Sequence, residues 1–220
     1  MVIELLVMGF ALASLLFGTV IPVIGFATYV DLRERRILTM LRMRLLEAHV
    51  APEARDGALG VAVSVVVGER TVVISARERG RTPIWRVEVA RESTLPVRYV
   101  VVRKDWATAR GFLSAATHRE IDGLPLHRLA FEDAGAPPPD DAALARALAP
   151  VLHGLELKEL SVDSRALTFD VAREGLEADD VFALLLRCLH VVSSLEGRGP
   201  AALPGLPLTG PGAPLLLPRA

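Results

Sequence analysis

From Leu5 to Val30 the chain runs for 26 residues without a charged side chain, and no other feature restricts its folding as strongly. A helix rises about 1.5 Å per residue, so this stretch reaches roughly 39 Å against a hydrocarbon core of about 30 Å. A helix of that length, apolar all round, has no globular core of matching size to enter in a chain of 220 residues. The run is also too long for a cleaved signal peptide, and the residues before it, Met1 to Glu4, hold no basic group. The reading is a single membrane-spanning anchor, residues 1–30, in which Pro22 is tolerated because neighbouring groups re-satisfy the freed carbonyl.

Charge on the flanks sets the expected orientation. Only Glu4 precedes the run, whereas Arg33, Arg35, Arg36, Arg42 and Arg44 follow it closely. Basic residues stay on the cytoplasmic side, so the amino terminus is expected outside, the remainder inside, and the chain in the cytoplasmic (inner) membrane of a bacterial cell. Tyr29 falls where an interfacial aromatic belongs. Within the run, Ala11, Ser14, Gly18 and Gly25 share one side of a helix. Small residues on one stripe allow close helix packing, which makes a homodimer through this segment one expectation beside the bilayer itself as partner. Leu38, Leu41 and Leu45 recur at helical spacing just beyond and would extend that contact. Residues 31–59 read as a basic juxtamembrane helix followed by a linker over 51–60, marked by Pro52, Gly57 and Gly60.

The period then changes from helical to alternating. Val61, Val63, Val65 and Val67 begin a strand, Gly68-Glu69-Arg70 signals a turn, and 71–77, 84–90 and 97–103 continue as strands. Short turns between them favour a four-stranded antiparallel meander. Residues 105–116 fit either a short helix or a loop, and 126–132 a strand. Asp140 or Asp141 caps a helix carrying Leu144, Leu148, Val151 and Leu152, which Pro150 should kink or shorten. Strands over 155–162 and 165–172 flank Asp163-Ser164, and 178–196 is the clearest helix, with Asp179 and Asp180 at its start. Its apolar face carries Val181, Leu184, Leu185, Cys188, Leu189, Val192 and Leu195, and Arg187, His190 and Ser194 mark its wet face. The expected fold of 60–197 is α+β, an antiparallel sheet with about two helices on one face. Residues 198–220 contain six prolines and read as a disordered tail.

Site chemistry is sparse in this pattern. The net charge of −1 gives no cause to expect nucleic acid as a partner. The charge is uneven, however, with +4 over 51–110 and −8 over 111–197. The two lysines, Lys104 and Lys158, stand against 23 arginines, so arginine abundance says little about anion binding. A single cysteine, Cys188, excludes an internal disulfide framework. His118, Asp122 and His127 form the one metal-like grouping, without the close paired spacing of zinc ligands. No phosphate loop or nucleophile elbow is present, so neither cofactor nor metal is expected and an enzyme is disfavoured. Arg77, Arg79 and Arg81 cluster in one turn that suits an anionic ligand or lipid headgroup. That turn resembles the arginine loop of cyclic-dinucleotide-binding PilZ domains, but the companion Asp/Asn-x-Ser-x-x-Gly element is absent downstream and the family is not assigned. These features favour a non-enzymatic, membrane-tethered, protein-binding adaptor, with ligand or anionic-lipid sensing at Arg77, Arg79 and Arg81 as the alternative. A reporter active only in the cytoplasm, fused after Gly197, should be active. Digestion of the domain by protease added outside intact cells would reverse the orientation.

Overall fold

The computed structural model describes residues 14, 19, 21–48, 50–57, 60–67, 70–79, 82–91, 99–106, 117–131 and 139–196. It divides into two compact units, Met1–Thr39 and Met40–Ala220. Helix α1, Ile21–Glu47, runs through the boundary. The second unit is α+β and is built on β1 (Pro52–Gly57), β2 (Gly60–Val67), β3 (Arg70–Arg79), β4 (Thr82–Ala90), β5 (Tyr99–Arg103), β6 (Thr117–Glu120), β7 (His127–Phe131), α2 (Asp141–Leu152), β8 (Leu157–Val162), β9 (Ala166–Ala172) and α3 (Ala178–Leu195).

Among the described residues the strands form one nine-stranded sheet in the order β1-β2-β3-β4-β9-β8-β5-β7-β6. Every pairing is antiparallel. This corrects the expected meander in two places. Pro52–Gly57, read as linker, pairs with β2 along its whole length, from Pro52 opposite Val65 to Gly57 opposite Gly60. Its charged residues and proline are those of an edge strand, which pays little for lacking an apolar face. The fourth strand of the expected series, β5, also leaves β4. The C-terminal hairpin β8–β9 enters between them, so that β9 pairs with β4 and β8 with β5.

One face of the sheet is apolar. Val72 and Ile74 of β3, Trp85, Val87 and Val89 of β4, Val101 of β5, Leu160 of β8, and Leu167, Phe169 and Val171 of β9 are all closed to solvent. Helix α3 packs on β4 and against α2. The apolar set expected for α3 is buried except Leu195, which is partly exposed, and Val181, Leu184, Leu185, Cys188 and Val192 are fully enclosed. Burial holds the Cys188 thiol well above its ordinary pKa, as fits a packing residue. The α3 N-terminus is fixed by the Asp180 carboxylate, which accepts from the Glu177 backbone N–H at 2.9 Å. Asp140 caps α2 by accepting from Ala143 N–H at 2.7 Å, and the helix carries Pro150 in its last turn before ending at Leu152. Arg187, expected on a wet face, donates to the carbonyl of His153 at 2.7 Å and so ties α3 to the end of α2. A buried ion pair, Arg70 to Glu196 at 2.6 Å, joins the start of β3 to the end of α3.

The helix expected after the anchor is present, but Leu41 and Leu45 are fully buried, and Leu38 is 2% exposed. Leu41 and Leu45 are core of the second unit, not a row free for a second helix. Among the described residues no helix is long and apolar enough to cross a membrane. Residues 5–13, 15–18 and 20 of the expected span lie outside the described residues, as do Ala11, Gly18, Arg81 and 198–220.

Leu185→Asp should abolish cooperative unfolding in a thermal melt, because an unpaired charge would replace a fully enclosed side chain. Arg187→Asp should cost about 1 kcal/mol by losing its bond to His153. A melt unchanged from wild type for Leu185→Asp would refute the assigned core.

Candidate functional site

The face of the sheet opposite the apolar one carries a charged ladder that no local motif announces. Strand alternation and register place it there. Ser75 stands opposite Arg86, Arg86 opposite Asp170, Asp170 opposite Glu159, and Glu159 opposite Val102. Arg77 and Arg79 follow Ser75 at two-residue steps and therefore share its face. Arg86 grips Asp170 through two bonds of 2.8 Å, in the fork geometry suited to a carboxylate. Arg79 reaches Asp170 at 3.0 Å and Glu159 at 2.8 Å. Both carboxylate side chains are only 2% exposed.

Electrostatics within the ladder follow from burial. The hydrogen bond to Asp170 holds the Arg86 guanidinium above its usual pKa, so it stays charged. Burial pushes Glu159 upward, and Arg79 pulls it back only in part. A bulge between Leu157 and Glu159 inserts Lys158. Trp106, just after β5, has Arg79 and Lys158 each 5.6 Å from its ring centroid. It packs on Val100, Val102 and Ala130, a small buried apolar cluster on this same face.

Of the turn proposed for anions, Arg79 is thus occupied by two internal carboxylates. Arg77 donates from Nε to the Ser75 hydroxyl at 3.3 Å, and Arg81 lies outside the described residues. The arginines assigned to membrane orientation all sit on α1. Arg35 pairs with Asp31 at 3.0 Å and Arg44 with Asp179 at 2.9 Å and Glu47 at 3.1 Å. His118 stands opposite Ala130 while His127 alternates to the other face of β7, so the metal-like grouping is split across the sheet. No group of ligating side chains that could hold a metal occurs among the described residues.

A cleft of about 230 Å³ opens at one end of the sheet. Its walls are Leu124 and Leu126 from the turn before β7, Leu152 and Leu155 from the end of α2, and Leu157 of β8. The turn is rigidly built. Leu124 N–H donates to Ile121 and His127 N–H to Leu124, both at 3.0 Å, and Lys104 N–H donates to Leu126 at 2.9 Å. Gly123 takes φ +85° within it, and a Cβ added there would touch Ala145 of α2. Arg103 lines the cleft and pairs with Glu156 and, at 3.0 Å, with Asp105. His127 is buried, with Nε2 3.0 Å from the Leu157 carbonyl. Burial lowers its pKa, so the ring is neutral at neutral pH. Sequence reasoning missed the cleft because its lining comes from Arg103, residues 124–127 and residues 152–157, which are apart along the chain.

A third feature is an exposed apolar row. Met40, Met43 and Leu46 are 49%, 57% and 52% exposed on the side of α1 away from the buried Leu41 and Leu45. They follow one another at three-residue steps and form one patch.

The fold and these features define an α+β domain on a large antiparallel sheet, with a charged ladder on one face and helices packed with the apolar core. Neither a family model nor a curated protein matches the chain. Among solved structures the mycobacterial trehalose monomycolate transport factor A is similar, with a TM-score of 0.51 at 10% identity over 76% of this chain and 98% of that one. At that identity the likeness is one of fold.

Asp170→Ala should destabilise the domain by about 3–5 kcal/mol, since Arg86 and Arg79 would lose a buried counter-charge; chemical denaturation measures it. His127 supplies a pH dependence. Its folded pKa is depressed, so its contribution is present above the ordinary value of about 6.5 and is lost as pH falls below that value toward the folded one. The melting temperature should therefore fall on acidification from pH 7. Replacing His127 by Gln should flatten that slope, and an unchanged slope would exclude His127 as its source.

Proposed function

We propose that this chain is a membrane-tethered, non-enzymatic adaptor that holds a partner protein close to the bilayer. The observation that carries this reading is the exposed row Met40, Met43 and Leu46. The opposite side of the same helix segment closes on the domain core, so the row is presented on a rigid support instead of a mobile loop. Apolar side chains grouped on a soluble surface mark interaction sites, and methionine adapts to a partner's shape at little cost. The exposed basic residue Arg42 flanks the row, which favours a partner surface with an acidic group at its rim.

The uncharged run Leu5 to Val30 would supply the anchor, with the amino terminus outside and the domain in the cytoplasm. The fold is similar to that of a mycobacterial trehalose monomycolate transport factor, which is compatible with a non-enzymatic role. The ladder of Arg79, Arg86, Glu159 and Asp170 is, in this reading, structural.

Met43→Glu in the full-length chain should remove the partner recovered by affinity purification from membranes, while leaving the melting temperature within about 1 °C, as befits a surface change. Recovery of the same partner at the same level with Met43→Glu and Met40→Glu would overturn the docking assignment.

A further inference from the structure

The cleft between the β7 turn and the end of α2 has a composition that the adaptor role does not require. Its apolar wall is fixed in place while partly wet. Leu126 is 61% exposed, yet its carbonyl is bonded to Lys104 and its neighbours are locked in a hydrogen-bonded turn. Holding a leucine at the mouth of a concavity leaves apolar surface in water that an apolar occupant would cover. Ligand sites have this make-up, mostly apolar walls with a few placed polar groups. The volume, about 230 Å³, lies below the range of roughly 300–1,000 Å³ for drug-sized ligands. One short chain or ring fits; a two-chain lipid does not.

The polar end restricts the head group. Arg103 is already paired with Glu156 and Asp105, and Lys158 also meets Glu156, at 2.7 Å. A carboxylate or phosphate would have to displace those acids from Arg103. An ammonium would sit beside the Arg103 guanidinium. An uncharged head avoids both penalties. With Nε2–H of the neutral His127 committed to Leu157, its Nδ1 is the ring's remaining acceptor, while Glu156 accepts and Arg103 donates nearby. A hydroxyl, which both donates and accepts, matches that set.

The geometry points to a binding site for a small neutral amphiphile, a single medium-length alkyl chain ending in a hydroxyl, with the chain against Leu155 and Leu126 and the hydroxyl at Arg103, Glu156 and His127. The site is separate from the Met40, Met43 and Leu46 row and stands or falls independently of it.

Photolabelling tests it on the full-length chain in phospholipid nanodiscs, with an eight-carbon aliphatic alcohol carrying a diazirine as probe. Adducts should map to peptides holding residues 124–127 and 152–157. Unlabelled 1-octanol should compete at least about tenfold better than octanoate or octylammonium, corresponding to about 1.4 kcal/mol for the charged head. Leu155→Trp, which fills the cleft, should abolish labelling there. Leu126→Ser, at the exposed mouth where packing is little disturbed, should weaken it severalfold, and this variant carries the test if Leu155→Trp lowers the melting temperature. Labelling that octanol does not compete, that Leu126→Ser leaves unchanged, or that is confined to residues 5–30 would overturn the site. Stronger competition by octanoate or octylammonium than by octanol would overturn the neutral head group.

Discussion

The placement of β9 beside β4 is the arrangement on which the rest of the domain depends, and the Arg86–Asp170 pair sits at its centre. Without β9 the sheet would divide into β1-β2-β3-β4 and a separate group around β5. The join is made twice over, by backbone pairing from Ile84–Ala172 to Ala90–Ala166 and by the side-chain fork between Arg86 and Asp170. Arg79 extends the tie to β8 through Glu159. An apolar pair at these positions would pack as well or better, since buried ion pairs recover little net stability. What the charges add is register. A slip of one residue between β4 and β9 would bring Asp170 to an apolar neighbour and turn Arg86 away from it.

That arrangement also separates two kinds of surface. The apolar face receives α3, whose fully enclosed residues account for much of the core. The opposite face keeps its charges and covers part of them with Trp106. Because the C-terminal hairpin crosses to the middle of the sheet, the turn before β7, the end of α2 and the start of β8 meet at one end, and the cleft is formed there. The exposed row on α1 arises differently. It is the side of a helix segment left over after Leu41 and Leu45 have entered the core.

Much of the architecture was legible in local pattern. The alternation of valines over 61–67, the acidic start of 178–196 and the Asp140 cap each reflect constraints confined to one segment, and each element forms where expected. Residues 52–57 were not legible as a strand because an edge strand needs only backbone pairing and carries no apolar period. Thr117–Glu120, the opposite edge, was missed for the same reason. The strand order was hidden because β4–β9 pairing joins residues some eighty positions apart, and periodicity is silent about pairing at that range.

The sequence by itself determined the uncharged run, the basic flank after it, the α+β class and the apolar face of α3. These depend on charge and on periods of two or 3.6 residues, which are written along the chain. Tertiary structure decided that Arg79 serves Glu159 and Asp170 instead of a ligand, and that Leu41 and Leu45 are core instead of a free helix face. It also decided that leucines of residues 124–126 and of residues 152–157 surround one cleft. Each of these turns on which distant residues become neighbours, and that is fixed only when the hairpin β8–β9 takes its place between β4 and β5.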